Sequence, residues 1–374
     1  MAIKFTAERK KLLSLIMPAL SASSNKSTLP ALEGLLFNLK GDELSVCGYD
    51  LEKGIKTVDT VSGESDGAVI LNANKIASII RNFPDCDITF EADEKNMVRI
   101  QGARSDFSIH GLSADAFPNL PELSGDKSFS ISQKIFKDII STTYFAVAQT
   151  DARPILTGEL FKINKDKLTV VALDNYRMAL REESAAVSSE EEELSFIVPG
   201  KNIYEFSKLL SDEEKPVKAE LTKKHIILSV GNIIFFSRLL EGEFFDYNKA
   251  IPTQNKIFAR IETYAFIESV ERASLLLDDK LVTPLKCNFV GNTLNVSCST
   301  QYGRVDDNIS IEKDGDDIEI GFNNRYLLDA LKACRDELIT VSLSSPLMSM
   351  VIKPAVKKEG SDYLYLVLPM RLKD

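Results

Sequence analysis

Three stretches of this chain repeat one another, and no other feature narrows its fold so far. KFTAERKKLLSLIMPAL, SFSISQKIFKDIISTTYFAVA and IFARIETYAFIESVERASLLL each run from a short apolar strand into a segment whose apolar residues fall three or four apart. That spacing predicts an amphipathic helix with one buried stripe. The stripe is Leu12, Leu13, Leu15, Ile16 and Leu20 in the first, Ile135, Phe136, Ile139 and Ile140 in the second, and Phe266, Ile267, Val270 and Leu275 in the third. The three starts lie roughly 125 to 130 residues apart, the size of a small domain.

The stretch after each helix repeats as well. LPALEGLLFNLKGDELSVCGYD, RPILTGELFKINKDKLTVVALD and TPLKCNFVGNTLNVSCST are each a Pro-led strand, a polar turn and a second strand. The turns KGDE, NKDK and GNT carry hairpin chemistry. A second helix comes next in each repeat, in NANKIASIIRNF, PGKNIYEFSKLL and NNRYLLDALKACR, and strands return after it. Each repeat therefore reads strand, helix, strands, helix, strands, an α+β pattern with antiparallel sheets. The Pro-bearing linkers ADAFPNLPELSGDKS and FDYNKAIPTQNKIF divide the chain into 1–126, 127–253 and 254–374. The acidic run SSEEEEL reads as a solvated loop between a strand and its helix inside the second repeat.

Several chemistries find no support. Cys47, Cys86, Cys287, Cys298 and Cys334 are odd in number and make no C-x-x-C pair, so they read as reduced thiols of a cytoplasmic protein. His110 alternates with Phe107 and Ile109 in a strand pattern and His225 sits at a turn, both structural settings. No phosphate loop, dinucleotide fingerprint or nucleophile elbow occurs. KDGDDIE lacks the calcium-loop register and reads as a hairpin turn. No apolar run reaches the length of a membrane span, and MAIKFTAERKK has no signal-peptide core. No cofactor or metal is expected.

Charge is unevenly spread. The chain carries a formal charge of −10. Five of the six helical windows are nonetheless net basic, with ETYAFIESVERASLLL the acidic exception. Either these are ordinary solvated faces, or the helices line one surface that meets phosphate, where contacts carry no direct sequence information.

LPALEGLLFNL, VALDNYRMAL, EGEFFDYNKAIP, EIGFNNRYLLDAL and YLVLPMRL, in this order, closely resemble the bacterial DNA polymerase III beta subunit family of sliding clamps. The resemblance spans the whole chain and matches its threefold repeat. It implies a head-to-tail homodimeric ring of six similar domains, with helices lining the hole and sheets outside, and no catalysis. Such a ring has no free ends, and a modest basic lining suffices to hold double-stranded DNA loosely. Lys26, Arg81, Lys137, Gln149, Thr150 and Lys201 match duplex-facing positions. At the seam, the resemblance pairs the strand RSDFSIHG with NTLNVSCST of the second copy, satisfying two open edges. Phe107 and Ile109 then pack near Leu275 and Leu276, and Lys75 and Arg104 meet Asp306 or Asp307.

The resemblance also gives the C-terminal segment a purpose, as part of a pocket for short Gln-x-x-Leu-Phe peptides. Such peptides are borne by the DNA polymerase III alpha subunit, the clamp loader, other polymerases and repair proteins. The matching residues are Leu156, Leu173, Asn175, Tyr176, Arg177 and Met178, then Phe245, Lys249 and Ala250, then Asn323, Tyr326, Leu347 and Ser349. The tail adds Leu366, Val367, Leu368, Pro369, Met370, Arg371 and Leu372, with Leu366 and Leu368 expected as core. Leucine, valine and methionine can wrap an apolar anchor, and Arg177 and Arg371 offer donors to peptide carbonyls or carboxylates. Two anchors at about 1.5–3 kcal/mol each, less ordering costs, leave binding near micromolar. The sequence departs from the family at Phe245, where proline is common, at Lys249, where arginine is common, at Asn175 and Tyr176, which replace Gly-His, and at Lys373 and Asp374, which come after the usual terminal leucine. A scaffold that binds no DNA would explain the tail but not the basic helices; a carboxylate-dependent enzyme needs no local motif and is the third alternative.

Overall fold

The computed structural model describes residues 3–24, 26–184, 187–189, 193–277 and 283–372. Six α-helices occur among them: α1 (Arg9–Leu20), α2 (Ala73–Asn82), α3 (Gln133–Thr143), α4 (Gly200–Ser207), α5 (Thr263–Ser274) and α6 (Asn324–Ala333). They are the two helices per repeat that the apolar spacing predicts. Of the expected apolar stripes, Leu12, Leu15 and Ile16 in α1, Phe136, Ile139 and Ile140 in α3, and Phe266 and Val270 in α5 are buried, whereas Leu13, Leu20, Ile135 and Ile267 are half-buried. Side chains begin three of the helices. Asn72 accepts from the Lys75 amide at 3.1 Å, Glu262 accepts from the Tyr264 and Ala265 amides, and Asn323 accepts from the Arg325 and Tyr326 amides at 3.0 and 3.1 Å. Each satisfies amides that a first helical turn leaves without partners. Leu275 departs from expectation: it falls just past the end of α5 and is 82% exposed.

The chain forms two compact units, one from Met1–Gln133 with Lys208–Leu239 and one from Lys134–Ser207 with Leu240–Asp374. The units cut through the middle repeat because its strand Ile233–Arg238 pairs with Lys53–Thr60 of the first. In the first unit, a five-stranded sheet places Ser105–His110 at one end, beside Met97–Gly102. Phe5, Phe37 and Phe90 stack through its core at centroid distances of 4.8 and 5.3 Å.

The second unit holds a nine-stranded sheet and a four-stranded one. The nine-stranded sheet joins middle and third repeats through Arg177–Glu183 and Ser361–Val367, in register from Arg177 opposite Val367 to Glu183 opposite Ser361. The aromatic run ahead of Pro369 is therefore a central strand: Tyr363, Leu364, Tyr365, Leu366 and Val367 are all buried. The four-stranded sheet runs Gly303–Ser310, Thr293–Thr300, Leu285–Val290, Ile318–Phe322.

The hairpin turns KGDE, NKDK and GNT are present, with Gly41, Lys165 and Gly291 at φ of 59°, 56° and 51°. KDGDDIE turns as expected but is no hairpin. Glu312–Asp314 pairs in the nine-stranded sheet and Ile318–Phe322 in the four-stranded one, and the Lys313 ammonium holds the turn through the Gly315 and Asp316 carbonyls and Asp317. SSEEEEL does not run from a strand to a helix as expected: its ends, Ser188–Ser189 and Glu193–Leu194, lie in the strands Val187–Ser189 and Glu193–Pro199, and its middle lies outside the described residues. Four cysteines are buried and Cys86 is half-buried; burial pushes the thiols of Cys47, Cys287 and Cys334 up to about 12.

Candidate peptide-binding cleft and clamp surfaces

The site is built on a turn in VALDNYRMAL. The Asp174 carboxylate accepts from the Tyr176 and Arg177 amides at 2.7 and 2.9 Å, a local capture that aspartate makes readily. The turn lifts Asn175 and Tyr176 into solvent, Tyr176 being 53% exposed. Tyr176 stacks on Tyr326 of α6, centroids 5.4 Å apart. Arg177 turns the other way. Its guanidinium lies 4.6 Å from the Tyr326 ring centre and 5.8 Å from that of Phe145. It donates to Asp174 at 3.1 Å and to Asp329 at 2.5 Å. Two of the donors expected to face a peptide, at Nε and Nη1, are thus engaged inside the protein, where planar guanidinium stacking and paired acids suit arginine well. Beneath the turn, Leu156, Leu173, Met178 and Leu366 belong to one buried cluster, with Val367 buried nearby in its strand.

The tail leaves the central strand at Val367 and is tethered twice. The Leu368 amide donates to the Tyr176 carbonyl and the Met370 amide to the Gly321 carbonyl, each at 2.8 Å. Leu368 is 41% exposed, so it is surface and not the core residue expected. Pro369 and Met370 are half-buried and Arg371 is exposed; Lys373 and Asp374 lie outside the described residues.

Three clefts take in candidate residues, the first at the turn, the third along the tail, and the second lined by neither. One, of about 730 Å³, is lined by Asn175, Tyr176, Arg177, Asn323 and Tyr326 together with Gln149 and Thr150. Two residues assigned to duplex thus share a cleft with five assigned to peptide. A second, of about 500 Å³, takes Lys249 and Ala250 with Met348; Phe245, Leu347 and Met348 are exposed large apolar side chains, and Ser349 is half-buried. The third places Met370, Arg371 and Leu372 along the four-stranded sheet. Phe145, Asp174, Asp329 and Gly321 are members that sequence reasoning missed. Only the Asp-x-x-Arg spacing of the turn could have drawn attention to Asp174.

The seam strands need one correction. Within NTLNVSCST the strand is Thr293–Thr300, whose ladder is occupied on both sides, by Leu285–Val290 and by Gly303–Ser310. On that side of the four-stranded sheet the end strand is Gly303–Ser310. Ser105–His110 is an end strand as expected, with Phe107 38% exposed and Ile109 half-buried. Asp306 and Asp307 already have partners within the chain: Arg304 lies 2.5 Å from Asp306 and Arg272 2.7 Å from Asp307. Lys75 and Arg104 are exposed, and Leu276 packs at the margin of the third repeat's core. Of the duplex candidates, Arg81 is in the last turn of α2, Lys137 lies on α3, Lys201 in the first turn of α4, and Lys26 in an exposed loop. Among the described residues no group of three or more His, Cys, Asp or Glu is placed to hold a metal ion, and no helix is long and apolar enough to cross a membrane.

Family models for the N-terminal, central and C-terminal domains of the DNA polymerase III beta subunit match residues 3–121, 130–246 and 248–371 in turn. The chain belongs to the DNA polymerase III beta subunit family. The beta sliding clamp of Staphylococcus aureus (strain Mu50 / ATCC 700699) is 30% identical, covering 99% of each chain. That of Bacillus subtilis (strain 168) is 28% identical over 99% of this chain and all of its own. Among solved structures, the Bacillus subtilis DNA polymerase sliding clamp superposes with a TM-score of 0.94 at 28% identity, covering 100% of both chains. A Pseudomonas aeruginosa sliding clamp bound to griselimycin gives a TM-score of 0.92 at 29% identity, also over 100% of both chains. As a beta subunit family member, the chain has a sliding-clamp function in DNA replication, and its three successive domain matches account for the repeat.

Proposed function

We propose that two copies of this chain close head to tail into a ring around duplex DNA and act as a non-catalytic tether in the cytoplasm. Each copy contributes three domains, over 1–126, 127–253 and 254–374. The duplex is held without sequence preference by Lys26, Arg81, Lys137, Gln149, Thr150 and Lys201. The ring closes where Ser105–His110 of one copy extends the sheet at Gly303–Ser310 of the other, so that two open edges satisfy each other. Phe107 and Ile109 meet Leu275 and Leu276 there, and Lys75 and Arg104 join the acids Asp306 and Asp307 in a shared ionic network.

Partners dock through short peptides in the clefts beside the tail: the polymerase alpha subunit, the clamp loader, and other polymerases and repair proteins. One observation carries this reading. An apolar C-terminal segment is clipped at Leu368 to the carbonyl of the exposed Tyr176, held on the surface instead of being folded into the core. The test is fluorescence anisotropy of a labelled Gln-Leu-Ser-Leu-Phe peptide against the intact protein and a version ending at Pro369. Saturable binding near micromolar that the truncation abolishes is expected; equal binding by both, or none by the folded intact protein, refutes the cleft.

A further inference from the structure

Gly321 sits in the strand Ile318–Phe322, which pairs on one side with Leu285–Val290. On the other side it meets only the tail among the described residues, through an antiparallel bridge to Met370. The Gly321 carbonyl accepts the Met370 amide at 2.8 Å. The approach leaves no room for a side chain. A Cβ at Gly321 would stand 2.6 Å from the Leu372 Cδ2, 2.8 Å from the Met370 carbonyl oxygen and 3.1 Å from the Leu372 Cγ. The leucine could swing away, but the Met370 oxygen is backbone, so the tail itself would have to lift.

Two residues beyond Gly321, Asn323 caps α6, which carries Tyr326 under the Tyr176 ring. Pro369 has no amide to donate, so the segment between Val367 and Leu372 is held by Leu368 at Tyr176 and by Met370 at Gly321. We infer that Gly321 is a positioning residue for peptide capture: its bare backbone seats the tail, and the seated tail lines the cleft along the four-stranded sheet with Met370, Arg371 and Leu372 and braces the Tyr176 turn through the Leu368 amide. The inference rests on the peptide-cleft reading above.

Three proteins test it with the same labelled peptide: intact, Gly321→Ala and the truncation at Pro369. Gly321→Ala is expected to weaken peptide binding about tenfold, short of the complete loss expected of the truncation. Hydrogen exchange supplies a readout without peptide. In Gly321→Ala the Met370 amide should exchange faster while the Leu366 amide, in the central strand, stays protected. Met370→Pro removes the same tether from the surface without burdening the core and should reproduce the loss should Gly321→Ala fold poorly. Peptide binding retained by both variants, or an unchanged Met370 exchange rate in Gly321→Ala, overturns the role of Gly321 alone. An intact protein that ignores the peptide overturns the cleft reading and this inference with it.

Discussion

Arg177→Met separates a rivet from a ligand. The native guanidinium joins a turn of the middle repeat, through Asp174, to α6 of the third, through Asp329, and it lies over the Tyr326 and Phe145 rings. Its side chain is only 11% exposed, Asp174 is 13% exposed and Asp329 is 36% exposed. Methionine keeps the stem's packing but removes the charge. The well-shielded bond to Asp174 is of the charge-assisted kind, about 1.5–3 kcal/mol; the bond to Asp329 is partly screened and contributes less than about 1 kcal/mol. The ring contacts add about 0.5–1 kcal/mol. The sum is about 3 kcal/mol, which for a unit of this size lowers the melting temperature by about 6–12 °C. Lysine restores a point charge without the fork or the plane and should recover about half of that. Calorimetry reads the melt and peptide anisotropy reads the cleft. A peptide-contacting Arg177 would give the opposite pattern: weaker binding in Arg177→Met with a melting temperature within about 1 °C of the native protein. That result would refute the assignment of Arg177 to the protein's own frame.

Glu159 is fully buried and accepts one bond, from the Thr143 hydroxyl at 3.2 Å; burial raises its carboxyl from 4.5 to about 8. The folded state therefore holds a proton that the unfolded chain has released, so stability falls as pH rises between those values, by up to about 1.4 kcal/mol per pH unit. Glu159→Gln should flatten this fall in melts at pH 5, 6.5 and 8, and parallel curves for the two proteins would contradict it. At the seam, Leu275→Asp places a charge on a side chain that is 82% exposed in the single chain. It should leave the melt intact and convert dimer to monomer in light scattering, whereas an unchanged dimer would remove Leu275 from the interface.

The elements were legible because each is written locally. Apolar period and turn residues announced all six helices and the three short hairpins, and five ordered motifs carried the family. The misjudged features are set by distant partners. Arg177 and Asp329 are 152 positions apart, so nothing near the Asp174 turn shows where the guanidinium points. The apolar alternation of Thr293–Thr300 marks a strand but not whether both of its edges are occupied; that depends on Gly303–Ser310, whose charges conceal its pairing. KDGDDIE shows a turn, yet which sheet each arm joins is decided by tertiary contacts. Leu368 reads as core by composition, and lies on the surface because proline comes next and the strand cannot continue.

The burial of the cysteines has a practical side. Thiolate is the reactive form, and burial suppresses it, most strongly at Cys47, Cys287 and Cys334. Cys298 is enclosed too, its sulfur 3.2 Å from the Ala273 carbonyl oxygen. That leaves Cys86, half open to solvent just after α2. A maleimide dye offered to the native protein therefore has one address per copy, and a closed pair of copies would carry two reporters. The distance between them would track the opening and closing of a ring without a single engineered residue.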